Sequence, residues 1–473
     1  MTFREPGRPA WSLATLPVLV VVLTVLSAGV AAPARAAVWG QRPVVDLSFD
    51  VAPDLRSATG QETVTFTPDL PVCELVFRTW PNMPNAADQG NALQVTAATV
   101  QGRPVAPVVR AAGARPGVPG TLVELPLPVC VSAGQTVRVG LDFTLRLGGD
   151  ADERLGTSRR SGVAWFGSGF PLLAWVRGQG WVRDDAVQIP SETATSEEFR
   201  LDALRVLAPD GAAVSGAGHA DAPAPGPRAG TTTHVFRAEA VRDVAVAVGA
   251  YRVLERDVAG TRLHLFVPTS GTRTDPARWA DEIDGALGRL EALVGAFPYP
   301  DLWVAIVPPL SSGIEYPGTV LFGDIPPDGL PELVTHELAH QWFYGLVGND
   351  QARDPWLDEG FATYAQAVAD DTPEQYATHD VPKGLRGRLG DPMTIWSDRG
   401  AEAYYSGVYV QGAAALLAAR QRVGAGPFDA AIRAYVAENA HRVATPADLA
   451  HALRGLPPAT DVLTRAGALT PPG

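Results

Sequence analysis

The chain has 473 residues, a formal net charge of −13, and 46% hydrophobic against 19% charged residues. That length exceeds what one hydrophobic core serves, so two or three domains are expected, and the apolar fraction excludes a largely disordered chain. An acidic chain with no basic cluster is a poor partner for nucleic acid or an anionic membrane surface. Lys383 is the single lysine, and the Ala-, Gly- and Pro-rich composition points to a GC-rich, bacterial coding source.

The first 36 residues read as a signal peptide: Arg4 and Arg8, an apolar run from about Leu13 to Ala32, then the small-x-small site Ala34-Arg35-Ala36. The apolar run also approaches spanning length, so an uncleaved anchor is the alternative. Either way the mature part is expected outside the cytoplasm, secreted or associated with the cell surface. No later segment is apolar enough to span a bilayer, so no stable membrane insertion is expected beyond this one. The chain has two cysteines, Cys73 and Cys130. In an exported protein an even count favours one disulfide, with two buried free thiols as the alternative.

From Val44 to about Tyr251 short alternating segments are punctuated by Pro and Gly, as in Glu62-Thr63-Val64-Thr65-Phe66-Thr67. This predicts an antiparallel β-rich domain over 37–258, with Ala220 to Gly230 as a hairpin loop inside it. The pattern then changes. Leu263 to Val267 reads as a buried strand. Pro276 to Phe297 has helical spacing, with Trp279, Ile283, Leu287, Leu290 and Leu293 on one face. A strand at Leu302 to Val307 follows, then two motif-bearing helices, then helices around Gly412 to Arg422 and Phe428 to Asn439. Residues 259–473 are thus expected to form a mixed α/β, then mainly helical, domain, giving an α+β multidomain chain.

The sharpest signal is His336-Glu337-Leu338-Ala339-His340. Residues four apart share a helix face, so both imidazoles reach one metal ion, and zinc accepts neutral nitrogen ligands at tetrahedral angles. Glu337 lies about 100° around the helix, placed to take a proton from a water at the metal. The neighbours Leu333, Val334, Leu338, Trp342, Phe343 and Leu346 predict burial. A buried carboxylate without a partner costs several kcal/mol, which a metal site explains. The third ligand is expected from Asp354-Pro355-Trp356-Leu357-Asp358-Glu359-Gly360. Asp354 can cap a helix and Pro355 suits its first position. Eighteen residues separate Glu359 from His340, enough for the first helix to end, a loop at Gly348-Asn349, and an antiparallel return. The site is therefore expected to hold one Zn2+ on His336, His340 and Glu359.

These runs resemble the aminopeptidase N family of gluzincin metallopeptidases. His336-Glu337-Leu338-Ala339-His340-Gln341-Trp342-Phe343 and the glutamate within Trp356-Leu357-Asp358-Glu359-Gly360-Phe361-Ala362 match its zinc motifs. Gly313-Ile314-Glu315-Tyr316-Pro317-Gly318 resembles its exopeptidase motif, and Phe77-Arg78-Thr79-Trp80-Pro81-Asn82 its N-terminal β-domain. The resemblance implies a saddle-like β-domain followed by a thermolysin-like peptidase domain, the family's large C-terminal helical domain being absent or reduced. It implies that Glu315 binds the substrate's free α-amine. It also implies that Tyr409, before Gln411-Gly412 where the family has Lys-Gly, donates to the oxyanion of the tetrahedral intermediate. Gly313 is expected to admit the substrate backbone closely. Departures are Ile314 for the usual Met, Tyr316 where many members have Asn, and Asp358 for a common Asn. The expected reaction is hydrolysis of N-terminal peptide bonds, with Glu337 as general base. Peptides bearing a free N-terminal amine are the expected partners. The alternatives are a zinc endopeptidase and a catalytically silent peptide-binding protein.

Overall fold

The computed structural model describes residues 37–189, 195–377, 379 and 381–470. The signal-peptide expectation for 1–36 lies outside them. The first half forms β-sheets, as the alternation predicts. A nine-stranded sheet runs His219–Ala220, Thr231–Val241, Phe199–Pro209, Val44–Val51, Ser57–Phe66, Val137–Arg146, Ala92–Val100 and Arg103–Pro104, with Ala224–Pro225 also on Thr231–Val241. Its pairs are antiparallel except Val44–Val51 with Phe199–Pro209. Strand Val137–Arg146 buries every second residue: Val137, Val139, Leu141, Phe143 and Leu145 face inward. Two four-stranded sheets pack against this face around a core that includes Phe49, Phe66, Phe143, Trp165 and Phe166. The expected loop at Ala220 to Gly230 is instead partly stranded, because His219–Ala220 and Ala224–Pro225 both pair with Thr231–Val241.

Neighbouring strands Val72–Arg78 and Leu122–Val131 carry Cys73 and Cys130, which form a disulfide with a Cα–Cα distance of 4.1 Å. The Phe77–Asn82 run ends in a short 3-10 turn. There Asn82 donates to the Leu93 and Gly120 carbonyls at 2.8 and 2.9 Å and accepts from Leu93 N–H at 2.8 Å, tying three segments together.

A second sheet has the order Tyr251–Val258, Thr261–Pro268, Asp301–Ile306, Thr319–Phe322, Gly313–Tyr316. Its middle three strands are parallel, and the edge strand Gly313–Tyr316 is antiparallel. The hairpin joining Val258 to Thr261 spans the expected boundary at 258, so this sheet begins at Tyr251. The predicted helix is present at Pro276–Val294, opened by Asp275, whose carboxylate accepts from Ala277 N–H. Trp279, Ile283, Leu287 and Leu290 are buried. Leu293 is half-buried, and Val294 takes the last inward position.

The motif helices are Glu332–Ala339 and Glu359–Ala369. The proposed capping at Asp354 differs. Pro355–Leu357 forms a separate 3-10 turn without a side-chain cap at Asp354, and the α-helix proper starts at Glu359. The expected loop at Gly348-Asn349 is a short strand, Val347–Asn349, parallel to Arg442–Ala444. Helices Gln411–Val423 and Ala425–Asn439 complete the core around both motifs. Among the described residues the only helices that follow them are Pro446–Ala452 and Pro457–Arg465, with no large helical domain. The two halves are locked by buried Arg242, which donates to the carbonyls of Ser196 at 2.9 Å and Gly345 at 3.1 Å, directly behind the first motif helix. Among the described residues no helix is long and apolar enough to cross a membrane.

Candidate metal centre and substrate cleft

The two motif helices pack together and bring His336, His340 and Glu359 to one point. The Nε2 atoms of the histidines are 3.2 Å apart, and each lies 3.3 Å from Oε2 of Glu359. A tetrahedral centre with bonds of about 2.0–2.1 Å sets its ligands about 3.3–3.4 Å apart, so this triangle fits zinc. His336 lies in the last turn of its helix, and His340 is the residue that caps it. His340 is buried, and its Nδ1 donates to Oδ1 of Asp358 at 2.7 Å. That bond leaves Nε2 with its lone pair directed at the triangle. Oε2 of Glu359 is buried without a hydrogen-bond partner, as a ligand oxygen awaiting a cation would be. Burial works against the charge of Glu359, yet the two imidazoles hold its carboxyl well below its usual range.

Glu337 is buried beside this triangle with Oε2 unpaired. Burial, then the nearby Glu315, pushes its carboxyl well above the ordinary value. The bare Cα of Gly313 makes room for it: a Cβ there would sit 2.5 Å from the Glu337 Cγ. Gly313 was expected to admit substrate backbone; here the space it leaves is taken by Glu337. Glu315, on the same edge strand, is also buried, and its Oε1 lies 3.5 Å from Nη2 of Arg154.

Tyr409 reaches the triangle from the third side. Its hydroxyl donates to Oε1 of Glu359 at 2.6 Å, and its ring stacks on His336 at 5.8 Å between centroids. Burial and the Glu359 charge raise the phenol well above its usual value, so it remains a donor. Tyr409 sits on a π-helical turn, Tyr405–Val410. The turn is set against the second motif helix by a glycine contact: a Cβ on Gly412 would lie 2.7 Å from the Gly360 Cα. Gln411, in the family's Lys position, donates to the Gly407 carbonyl at 3.0 Å and accepts from Gly387 N–H at 3.2 Å, bracing that turn. Tyr404 is buried with its ring edge-on to Tyr409 at 5.4 Å.

His336, Glu337, His340, Glu359, Glu315, Gly313 and Tyr409 all line one cavity of about 410 Å³. Cys73 and Cys130 are not part of it. Asp152, Glu153, Arg154, Glu332 and Tyr405 also line it, and sequence reasoning passed over them. So was Asp358, although its place beside Glu359 was the available signal: consecutive carboxylates facing one histidine serve it from both ring nitrogens. Nothing local marks Arg154.

Residues 329–463 match the Peptidase family M1 domain. Aminopeptidase M1 of Arabidopsis thaliana is 25% identical over 238 residues, covering 44% of this chain and 27% of that protein. Aminopeptidase N of Oryctolagus cuniculus is 52% identical over 42 residues, 9% of this chain and 4% of that protein. The chain thus spans about a quarter or less of the length of these curated relatives. The crystal structure of an M1 zinc metallopeptidase from Deinococcus radiodurans superposes with a TM-score of 0.64 at 20% identity, covering 92% of this chain and 97% of that one; this likeness is one of fold. The fold and the His336, His340 and Glu359 triangle are compatible with a gluzincin-type metallopeptidase domain. The match over residues 329–463 and these relatives support an aminopeptidase N-like gluzincin family, peptidase family M1, for that part of the chain.

Proposed function

We propose that this protein is a zinc-dependent aminopeptidase that hydrolyses the N-terminal peptide bond of peptides. The observation that carries the reading is the 3.2–3.3 Å triangle of His336, His340 and Glu359, with Glu337, Glu315 and Tyr409 on the walls of the same cavity. Zinc, when bound, supplies Lewis-acid polarisation of the scissile carbonyl and of the attacking water. Glu337 takes the water's proton and passes it to the leaving amine. Tyr409 turns its hydroxyl from Glu359 to the developing oxyanion. Glu315 holds the substrate's ammonium group and fixes cleavage one residue from the end.

The ion pair between Glu315 and Arg154 favours a second reading, a zinc endopeptidase in which Glu315 is structural. A panel of aminoacyl reporters with free and acetylated amines separates the two. The aminopeptidase reading expects strong discrimination against acetylated substrates. Internal cleavage of acetylated peptides as fast as free ones would overturn it. Export from the cytoplasm remains part of the proposal, and the Cys73–Cys130 bond supports it, since such bonds persist in oxidising compartments. Mass analysis of the mature N-terminus tests it.

A further inference from the structure

Arg154 belongs to the N-terminal domain, in the segment entering strand Leu155–Ser158. Its backbone is pinned on both sides: its N–H donates to Oε1 of Glu153 at 2.7 Å, and its carbonyl accepts from Gly167 N–H at 3.0 Å. The guanidinium lies 5.4 Å from the Trp80 ring centroid and 5.5 Å from that of Tyr316, an aromatic clamp with one ring from each domain. Tyr316 can sit there because Gly167 has no side chain: a Cβ on Gly167 would lie 1.9 Å from the Tyr316 hydroxyl. Trp80 and Tyr316 are themselves fully buried. The guanidinium so held faces Glu315, with both side chains almost wholly buried, at 7% and 5% exposure.

This housing has a purpose at the cleft. Glu315, Glu337 and Glu359 converge on one cavity, each with a buried oxygen that lacks a hydrogen-bond partner. Like charges in a low-dielectric site repel strongly, and a carboxylate on a strand edge can relieve that strain by turning away. A fixed guanidinium beside Glu315 opposes the turn.

We propose that Arg154 is a positioning residue for Glu315, so that the anchor for the substrate's amine is completed by the N-terminal domain. The proposal rests on the aminopeptidase reading. Tyr316, which stands where many relatives carry Asn, is then one half of the clamp that makes Arg154 usable. Arg154 pairs with Glu315, so its loss is expected to act on how the amine is held rather than on the chemical step.

The test uses the full chain loaded with zinc. Arg154→Met and Arg154→Lys are compared with wild type on free-amine and N-acetylated reporters, with zinc content and thermal midpoint recorded for each. Arg154→Met is expected to raise KM for free-amine substrates at least tenfold, with kcat within threefold of wild type and zinc retained. Arg154→Lys, which keeps the charge and loses the planar fork, is expected to recover part of that loss. A KM change below tenfold in Arg154→Met, or a fall in kcat matching the change in KM, overturns the proposal. Should Arg154→Met fail to fold, Arg154→Lys decides: a KM raised at least threefold at unchanged thermal midpoint supports the proposal, and a smaller change overturns it. A wild type that takes acetylated and free substrates equally overturns the aminopeptidase reading and this proposal together. Discrimination equal in wild type and Arg154→Met overturns the proposal alone.

Discussion

The carboxylate of Asp358 accepts the Nδ1 hydrogen of His340 at 2.7 Å, while the next residue, Glu359, faces Nε2 of the same ring at 3.3 Å. One imidazole is therefore gripped by two consecutive residues of the second motif. Asp358 is held in turn by Gln351, whose Nε2 donates to its other oxygen at 3.1 Å. Such a partner fixes the tautomer and direction of a ligand histidine.

Removing that partner is expected to loosen the metal. Asp358→Ala should weaken zinc affinity by roughly 10- to 100-fold, measured by competition with a chromophoric chelator. Asp358→Asn, which keeps an acceptor, should fall between. His340→Ala and Glu359→Ala should lose the metal altogether. An unchanged dissociation constant in Asp358→Ala would remove Asp358 from the site, and full zinc occupancy in either ligand variant would undo that ligand's assignment.

Glu337→Gln keeps the shape that fits against Gly313 and removes the proton acceptor. Zinc should stay bound and peptide hydrolysis should be abolished. Activity within tenfold of wild type would show that another group is the base.

Tyr409→Phe keeps the ring stacked on His336 and loses only the donor. Turnover should fall by roughly 10² to 10³ with little change in substrate binding. An unchanged kcat would shift attention to Tyr404, whose ring lies edge-on 5.4 Å away.

Glu153 gives a pH dependence of stability. Burial first of all pushes its carboxyl up from 4.5 to about 7, against the opposing pull of the Arg154 N–H and charge. Between those values the folded protein holds a proton that the unfolded chain has released, so stability falls as pH rises. The shift corresponds to at most roughly 3 kcal/mol. Asp243, raised to about 6 mainly by burial, acts in the same direction. Glu153→Gln should therefore flatten the decline in unfolding free energy between about pH 4.5 and 7. A variant with the wild-type slope would exclude Glu153 as a contributor.

The candidate metal triangle was legible in the sequence because its geometry is local. Four-residue spacing on one helix and a return after eighteen intervening residues leave few other ways for His336, His340 and Glu359 to be arranged. Strand alternation such as that of Val137–Arg146 and the helix at Pro276–Val294 were readable for the same reason, since period and capping are properties of neighbouring residues. The roles expected of Glu315 and Tyr409 came from family resemblance, and only the fold brings those side chains to one cavity. The ion pair of Arg154 with Glu315, the use of Gly313 as space for Glu337 and the Gly360–Gly412 contact had no sequence signal. Each joins segments far apart along the chain, and the identity of a buried partner is decided by which surfaces pack together, something no local pattern encodes.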